Sequence, residues 1–64
     1  MKTNKLRQVR LKKGISQERL ASEAGMVQAD ISQLENNKKY AYPGWRKRLS
    51  KALGVNEDTL FPEV

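Results

Sequence analysis

Apolar residues recur along this chain at the spacing of helices, and no segment alternates apolar and polar residues with a period of two. Val27, Ile31 and Leu34 are four and three residues apart, and Leu49 and Leu53 are four apart. Such spacings place side chains on one side of an α-helix. The pattern therefore predicts an all-α protein without a convincing strand.

Residues that favour helix starts and helix stops divide the chain into five short helices. The expected starts are N-cap residues, or a proline at the first helical position: Thr3 or Asn4, Ser16, Pro43 and Asn56. The expected stops are residues that adopt the left-handed backbone conformation: Gly14, Gly25, Asn37 and Gly54. We expect the second helix to span residues 17–24 and the third to reach about Asn36.

The second and third predicted helices are joined by about three residues that begin at Gly25. A linker this short does not suit a long hairpin, and it favours two helices that cross at a steep angle. Close crossing requires small side chains, which Ala21 and Ala24 supply. Alanines at contacts and glycines at stops are common in any small helical domain, so the combination is more specific than any one residue.

Length and composition narrow the functional classes. The 64 residues contain 38% apolar residues, which predicts one small domain over residues 1–64. The sequence has no Cys and no His, so disulfides and the usual zinc sites are excluded. It has no apolar run long enough to span a membrane, no Gly-rich phosphate loop and no cluster of candidate catalytic groups. We expect no enzymatic activity, no cofactor, no membrane association and no small-molecule ligand.

The chain is strongly basic. It carries 13 Lys and Arg against 7 Asp and Glu, a net charge of +6, and its pI is about 10.0. This is the electrostatic signature of a protein that binds polyanions, although many basic proteins bind no nucleic acid. Charge alone therefore does not decide whether this protein binds nucleic acid.

The third predicted helix has an outer face without charge. Val27, Ile31 and Leu34 fall within about 60° of one another on an ideal helix and are expected to face the core. Asp30 and Glu35 lie on the flanks. The opposite arc is short-chained and rich in amides: Gln28, Ala29, Ser32, Gln33 and Asn36.

These residue types suit the major groove of DNA. A Gln amide can donate to N7 of adenine while it accepts from the N6 amino group, and an Ala methyl can contact the thymine methyl. We therefore take Gln28, Ala29, Ser32 and Gln33 as candidate base-reading residues. For Ser32 an ordinary solvated surface is the alternative, and the role of Asp30 stays open.

Cations follow the third helix directly. Lys38 and Lys39 come just after its end, and Arg46 lies in the fourth predicted helix. Lysine and arginine beside a base-reading helix are expected to contact phosphates. For any single lysine, a solvated position without a partner is the competing interpretation.

Three segments resemble the helix-turn-helix family of lambda-type phage repressors, Cro proteins and related bacterial regulators. They read "GISQERLASEAGM", "ISQLENNK" and "LSKALGVNEDTLF". The resemblance implies a compact five-helix domain with a helix-turn-helix at about residues 17–36. Its third helix, about residues 28–36, would enter the major groove. The chain departs from the family pattern at Val27, where a polar cap is usual, and at Asn37, where glycine is usual.

The resemblance also implies roles for individual residues. Base readers in this family stand at the positions of Gln28, Ala29, Ser32 and Gln33. The position of Gln17 contacts backbone phosphate. In some members an arginine in the first helix pairs with the glutamate that ends the recognition helix, which here implies a pair between Arg10 and Glu35.

Together these features predict a sequence-specific regulator that binds double-stranded DNA. The favoured form is a repressor that binds a two-fold-related operator as a homodimer, at least on DNA, in the cytoplasm of a bacterial or phage-infected cell. The expected self-association surface is apolar and near the C-terminus: Val55, Leu60, Phe61 and Val64. The alternative is an antitoxin or a partner-regulated adaptor that acts mainly through protein contacts.

Overall fold

The computed structural model describes residues 4–62, which form five α-helices and no strand. The helices are α1 (Leu6–Lys12), α2 (Gln17–Ala24), α3 (Gln28–Glu35), α4 (Pro43–Leu53) and α5 (Glu57–Leu60). The predicted all-α, five-helix fold is confirmed. None of the helices in this part of the chain is both long and apolar enough to cross a bilayer.

The first helix begins later than the sequence pattern predicts. Lys5 occupies the N-cap position of α1, and the side chain of Asn4 still supports the start, since its Oδ1 accepts from the Leu6 amide at 3.0 Å. Asn4 Nδ2 also donates to the Leu34 carbonyl at 2.7 Å, which ties the start of α1 to the end of α3. Thr3, the other candidate cap, lies outside the described residues.

Left-handed residues end α2 and α3, as predicted. Gly25 has φ +69° after α2, and Asn37 has φ +58° after α3. The Lys38 amide then donates to the Gln33 carbonyl at 2.8 Å, and the Asn37 amide donates to Leu34 at 3.2 Å. These two bonds satisfy carbonyls that the end of a helix would leave without partners.

The core forms where α2 packs against both α3 and α4. Ala21 and Ala24 are 3% and 5% exposed at this contact, so the predicted role of these small side chains is confirmed. The fully buried large residues come from all five helices: Leu6, Leu20, Ile31, Leu34, Leu49 and Leu60.

The prediction that Val27 faces the core is wrong. Val27 is 61% exposed and stands at the N-cap of α3 with an extended backbone, φ −105° and ψ 156°. A helical projection assumes 100° per residue, and that assumption fails for a residue outside the helix. Ile31 and Leu34, which lie inside α3, are buried as predicted.

The prediction that Leu60 and Phe61 are exposed for self-association is also wrong. Leu60 is 0% exposed and Phe61 is 3% exposed, because α5 packs against α4 and completes the protein's own core. The Lys5 amide donates to the Leu60 carbonyl at 2.8 Å and holds α5 beside the start of α1. Val55 is half-buried against the same core, and Val64 lies outside the described residues.

Candidate nucleic-acid interface

The turn between α2 and α3 presents the start of α3 to solvent. Ser16 caps α2, since its Oγ accepts from the Arg19 amide at 3.1 Å. Val27 occupies the equivalent position of α3 but makes no side-chain cap bond. A helix start without a side-chain acceptor presents amide groups and the positive end of the helix dipole, both of which favour an approaching anion.

The outer face of α3 carries the candidate base readers. Gln28, Ala29 and Gln33 are exposed, and Ser32 is half-buried. Asn36 is exposed at the end of α3, where its Nδ2 donates to the Ser32 carbonyl at 2.9 Å. Five short or amide-bearing side chains thus share one uncharged surface, which can donate, accept and make methyl contacts.

Gln28 belongs to a chain of side-chain hydrogen bonds that runs from this surface into the protein. Its Nε2 donates to Gln17 Oε1 at 3.4 Å, and Gln17 Nε2 donates to Glu35 Oε1 at 2.9 Å. Gln17 is half-buried at the start of α2. Because Gln17 donates its Nε2 to Glu35, its amide oxygen faces Gln28. Gln28 therefore uses its Nε2 in this contact, and its own carbonyl oxygen remains available to a ligand.

Glu35 ends this chain in a buried ion pair. Arg10 Nε lies 2.6 Å from Glu35 Oε2, and Arg10 Nη2 donates to Oε1 at 3.3 Å. The side chains of Arg10 and Glu35 are 9% and 2% exposed. Arg10 Nη1 also donates to the Ile15 carbonyl at 2.9 Å. Two charges buried this deeply require such complete hydrogen bonding, and the pair fastens α1 to the end of α3.

The three cations expected to contact phosphate have different surroundings. Lys38 is exposed directly after α3 and makes no ion pair within residues 4–62. Lys39 Nζ lies 2.9 Å from Asp30 Oδ1. Arg46 donates to the Ala41 carbonyl at 2.7 Å, and its side chain is only 17% exposed. Lys38 is therefore the cation of this group whose charge is available to a polyanion.

Arg46 joins the start of α4 to α5, since its Nε lies 3.7 Å from Glu57 Oε1. The sequence carries a weak signal for the burial of Arg46, but none for Glu57 as its partner. Arg46 stands where an apolar residue is commoner in the family that the sequence resembles, which is consistent with an inward-facing side chain. The contact between Lys39 and Asp30 has no such signal, because it depends on the path of the loop after α3.

Aromatic residues line that loop. The Tyr40 and Tyr42 rings are 5.0 Å apart, and the Tyr42 and Trp45 rings are 5.6 Å apart, both edge to face. Tyr40 and Tyr42 are 59% and 56% exposed, while Trp45 is half-buried against the core. Lys39 Nζ lies 5.2 Å from the centre of the Trp45 ring, within the range of a cation–π contact.

Comparison with known proteins gives consistent matches to this architecture. The family model described as "Helix-turn-helix domain" matches residues 3–64. The restriction-modification controller protein C.AhdI from Aeromonas hydrophila is 30% identical with a TM-score of 0.84, and the match covers 88% of this chain and 85% of that protein. A hypothetical transcription factor, NHTF from Neisseria, is also 30% identical, with a TM-score of 0.80 and coverage of 91% and 67%. A search of curated protein sequences found no significant match.

Proposed function

This chain belongs to the helix-turn-helix domain family, and we propose that it is a sequence-specific repressor that binds a two-fold-related operator in double-stranded DNA as a homodimer. The observation that carries the proposal is the division of α3 into two faces. Ile31 and Leu34 are buried, while the opposite face is uncharged, amide-bearing and open to solvent. A face of this kind on a net positive protein suits base edges between two rows of phosphates.

Base reading is assigned to Gln28, Ala29, Ser32 and Gln33. Gln28 is the principal reader, because the first turn of the recognition helix is the part that contacts base edges in this architecture. Its hydrogen bond to Gln17 supports this role, since a side chain held in one orientation loses less entropy when it binds. Gln33 lies more than one turn further along α3 and is assigned a neighbouring base pair.

Phosphate contacts are assigned first to Lys38 and, through the one amide N–H that its hydrogen bond to Glu35 leaves available, to Gln17. Gln17 lies at the start of α2, beside Gln28, and Lys38 follows the end of α3. The two assignments therefore flank the base-reading surface at both ends. Lys39 and Arg46 remain assigned to phosphate with a smaller contribution, because their ion pairs and hydrogen bonds within the protein reduce what they can offer to DNA.

A homodimer follows from the size of the module. One eight-residue α3 presents few base contacts, so two copies about one helical turn apart would multiply both affinity and specificity. Repression would then result from steric exclusion of polymerase from the operator, in the cytoplasm of a bacterial or phage-infected cell. The dimer contact cannot rest on Leu60 and Phe61, which the protein's own core buries.

The proposal is tested by selecting bound duplexes from a random pool and measuring affinity for the selected and a scrambled duplex at several salt concentrations. We expect a two-fold-related selected site that binds at least 10³-fold more tightly than the scrambled duplex at physiological salt. Equal affinity for the two duplexes would contradict sequence-specific regulation. A selected site without two-fold symmetry would contradict the dimer alone.

The residue assignments predict two different kinds of loss. Gln28→Ala should cost about 1–3 kcal/mol on the selected site and relax the preference at one base pair. Lys38→Ala should weaken binding to all duplexes alike and reduce the salt slope by about one. Lys51→Ala is the matched control for the loss of one positive charge, because Lys51 lines a groove with Glu23 and Arg48 between α2 and α4 and does not follow α3; it should leave both quantities unchanged. Identical behaviour of the three variants would refute these assignments.

A further inference from the structure

Asp30 is an acidic residue on a helix that is assigned to DNA. It lies in the first turn of α3, next to Ala29, where phosphates would repel an unpaired carboxylate. Its side chain is 21% exposed, and its Oδ1 is 2.9 Å from Lys39 Nζ. The base-reading assignment leaves this carboxylate without a role.

Lys39 is held at its charged end by two groups. One is the Asp30 carboxylate, and the other is the Trp45 ring, whose centre lies 5.2 Å from Nζ. The Trp45 ring itself packs edge to face against Tyr42. The Lys39 side chain is only 38% exposed, although it lies in a surface loop. Lys38, its neighbour in sequence, makes no ion pair among the described residues.

From this contrast we infer that Asp30 withholds Lys39 from the DNA phosphates and so limits the sequence-independent part of the affinity. The inference rests on the proposed DNA-binding function. Each lysine that neutralises a phosphate adds affinity for every duplex, whatever its sequence. A genome presents a large excess of non-specific sites, so an extra phosphate contact holds the protein away from its operator. Asp30 and Lys39 together present a neutral pair at the edge of α3.

The pair also links two segments that are nine residues apart. Asp30 is in the first turn of α3, and Lys39 is in the loop that leaves α3 at its other end. Closing this contact brings the loop back along the flank of α3. Lys39 therefore neutralises the Asp30 carboxylate on the side where this group would otherwise face a phosphate. The outer face of α3 stays free of charge.

The test measures the salt dependence of binding to a duplex without a selected site, for the wild-type chain, Asp30→Asn and the double variant Asp30→Asn/Lys39→Met. Asp30→Asn should release Lys39 and steepen the slope of log K against log salt by about 0.9, so that its affinity falls about 3.5-fold more than that of the wild-type chain between 50 and 200 mM salt. The double variant should return to the wild-type slope, because a neutral pair replaces a neutral pair. Asp58→Asn on α5 is the matched control for net charge and should keep the wild-type slope.

Three results would overturn the inference. If Lys39 already contacts phosphate in the wild-type chain, Asp30→Asn leaves the slope unchanged and the double variant is shallower by about 0.9. If overall charge is the cause, Asp58→Asn steepens the slope as much as Asp30→Asn does. If the wild-type chain binds no duplex, the proposed function fails and this inference fails with it. Thermal unfolding of each variant establishes that all four proteins are folded under the binding conditions.

Discussion

The buried pair between Arg10 and Glu35 makes the strongest prediction about stability. At 2.6 Å and an effective dielectric constant of about 20, the attraction between the two charges is on the order of 6 kcal/mol. Removing both charges from water costs several kcal/mol per ion, so the intact pair adds little net stability. Arg10→Met forfeits the attraction but leaves Glu35 buried, and it should lower the free energy of unfolding by about 3–5 kcal/mol.

That loss is large for a chain of this length. A 64-residue domain has a total stability of roughly 3–10 kcal/mol, so Arg10→Met should lose about a third of it or more and should unfold at a much lower urea concentration. The assay is a urea titration followed by the fluorescence of Trp45, the single tryptophan, and by far-UV circular dichroism. The double variant Arg10→Met/Glu35→Leu should recover most or all of the loss, because it leaves no buried charge.

An exposed pair in the same protein provides the control. Arg19 Nε lies 3.0 Å from Glu23 Oε2, but these side chains are 67% and 41% exposed. Arg19→Met should therefore change the free energy of unfolding by no more than about 0.5 kcal/mol. If Arg10→Met also lost no more than about 0.5 kcal/mol, burial of the pair would not be what determines the loss of stability, and the explanation would be refuted. A double variant no more stable than Arg10→Met alone would refute the role of the uncompensated Glu35 charge.

Four further substitutions test local features through the same urea titration. Gly25→Ala should cost about 1–2 kcal/mol of unfolding free energy because φ is +69°, whereas Gly44→Ala inside α4 should stabilise the protein by about 0.5–1 kcal/mol. An added Cβ meets no atom within 4 Å at either site, so only the backbone conformation distinguishes the two. Equal effects of the two substitutions would contradict this conformational explanation. Val27→Ser should stabilise by about 1 kcal/mol by capping α3, and a loss of stability would contradict the exposed N-cap position. Leu60→Ala should lower the free energy of unfolding by about 2–5 kcal/mol at every protein concentration. A loss of stability that disappears on dilution would indicate that Leu60 lies in a subunit interface.

Features that depend on local chain chemistry could be predicted from the sequence. The bounds of α2 and α4 follow from Ser16, Gly25, Pro43 and Gly54, each of which acts on its own helix end through backbone geometry. The outer face of α3 follows from helical periodicity once Ile31 and Leu34 are taken as its buried side.

Features that depend on the path of the chain between helices could not be predicted. Burial of Leu60 and Phe61 requires α5 to turn back onto α4, which no local pattern specifies. The contact between Asp30 and Lys39 likewise depends on how the loop after α3 returns along the helix. The pairing of Arg10 with Glu35 was expected only from family resemblance, because a separation of 25 residues leaves no periodic signal.

The central claim is that the uncharged face of α3 contacts base edges, and a nuclear magnetic resonance titration of the isotopically labelled chain tests it most directly. The selected duplex and a scrambled duplex are added at the same salt concentration. We expect the side-chain amide signals of Gln28 and Gln33 and the backbone amide of Ala29 to shift with the selected duplex only, while Lys38 shifts with both. Identical shifts with the two duplexes, or shifts that leave α3 unaffected, would contradict the assignment of α3 to base recognition.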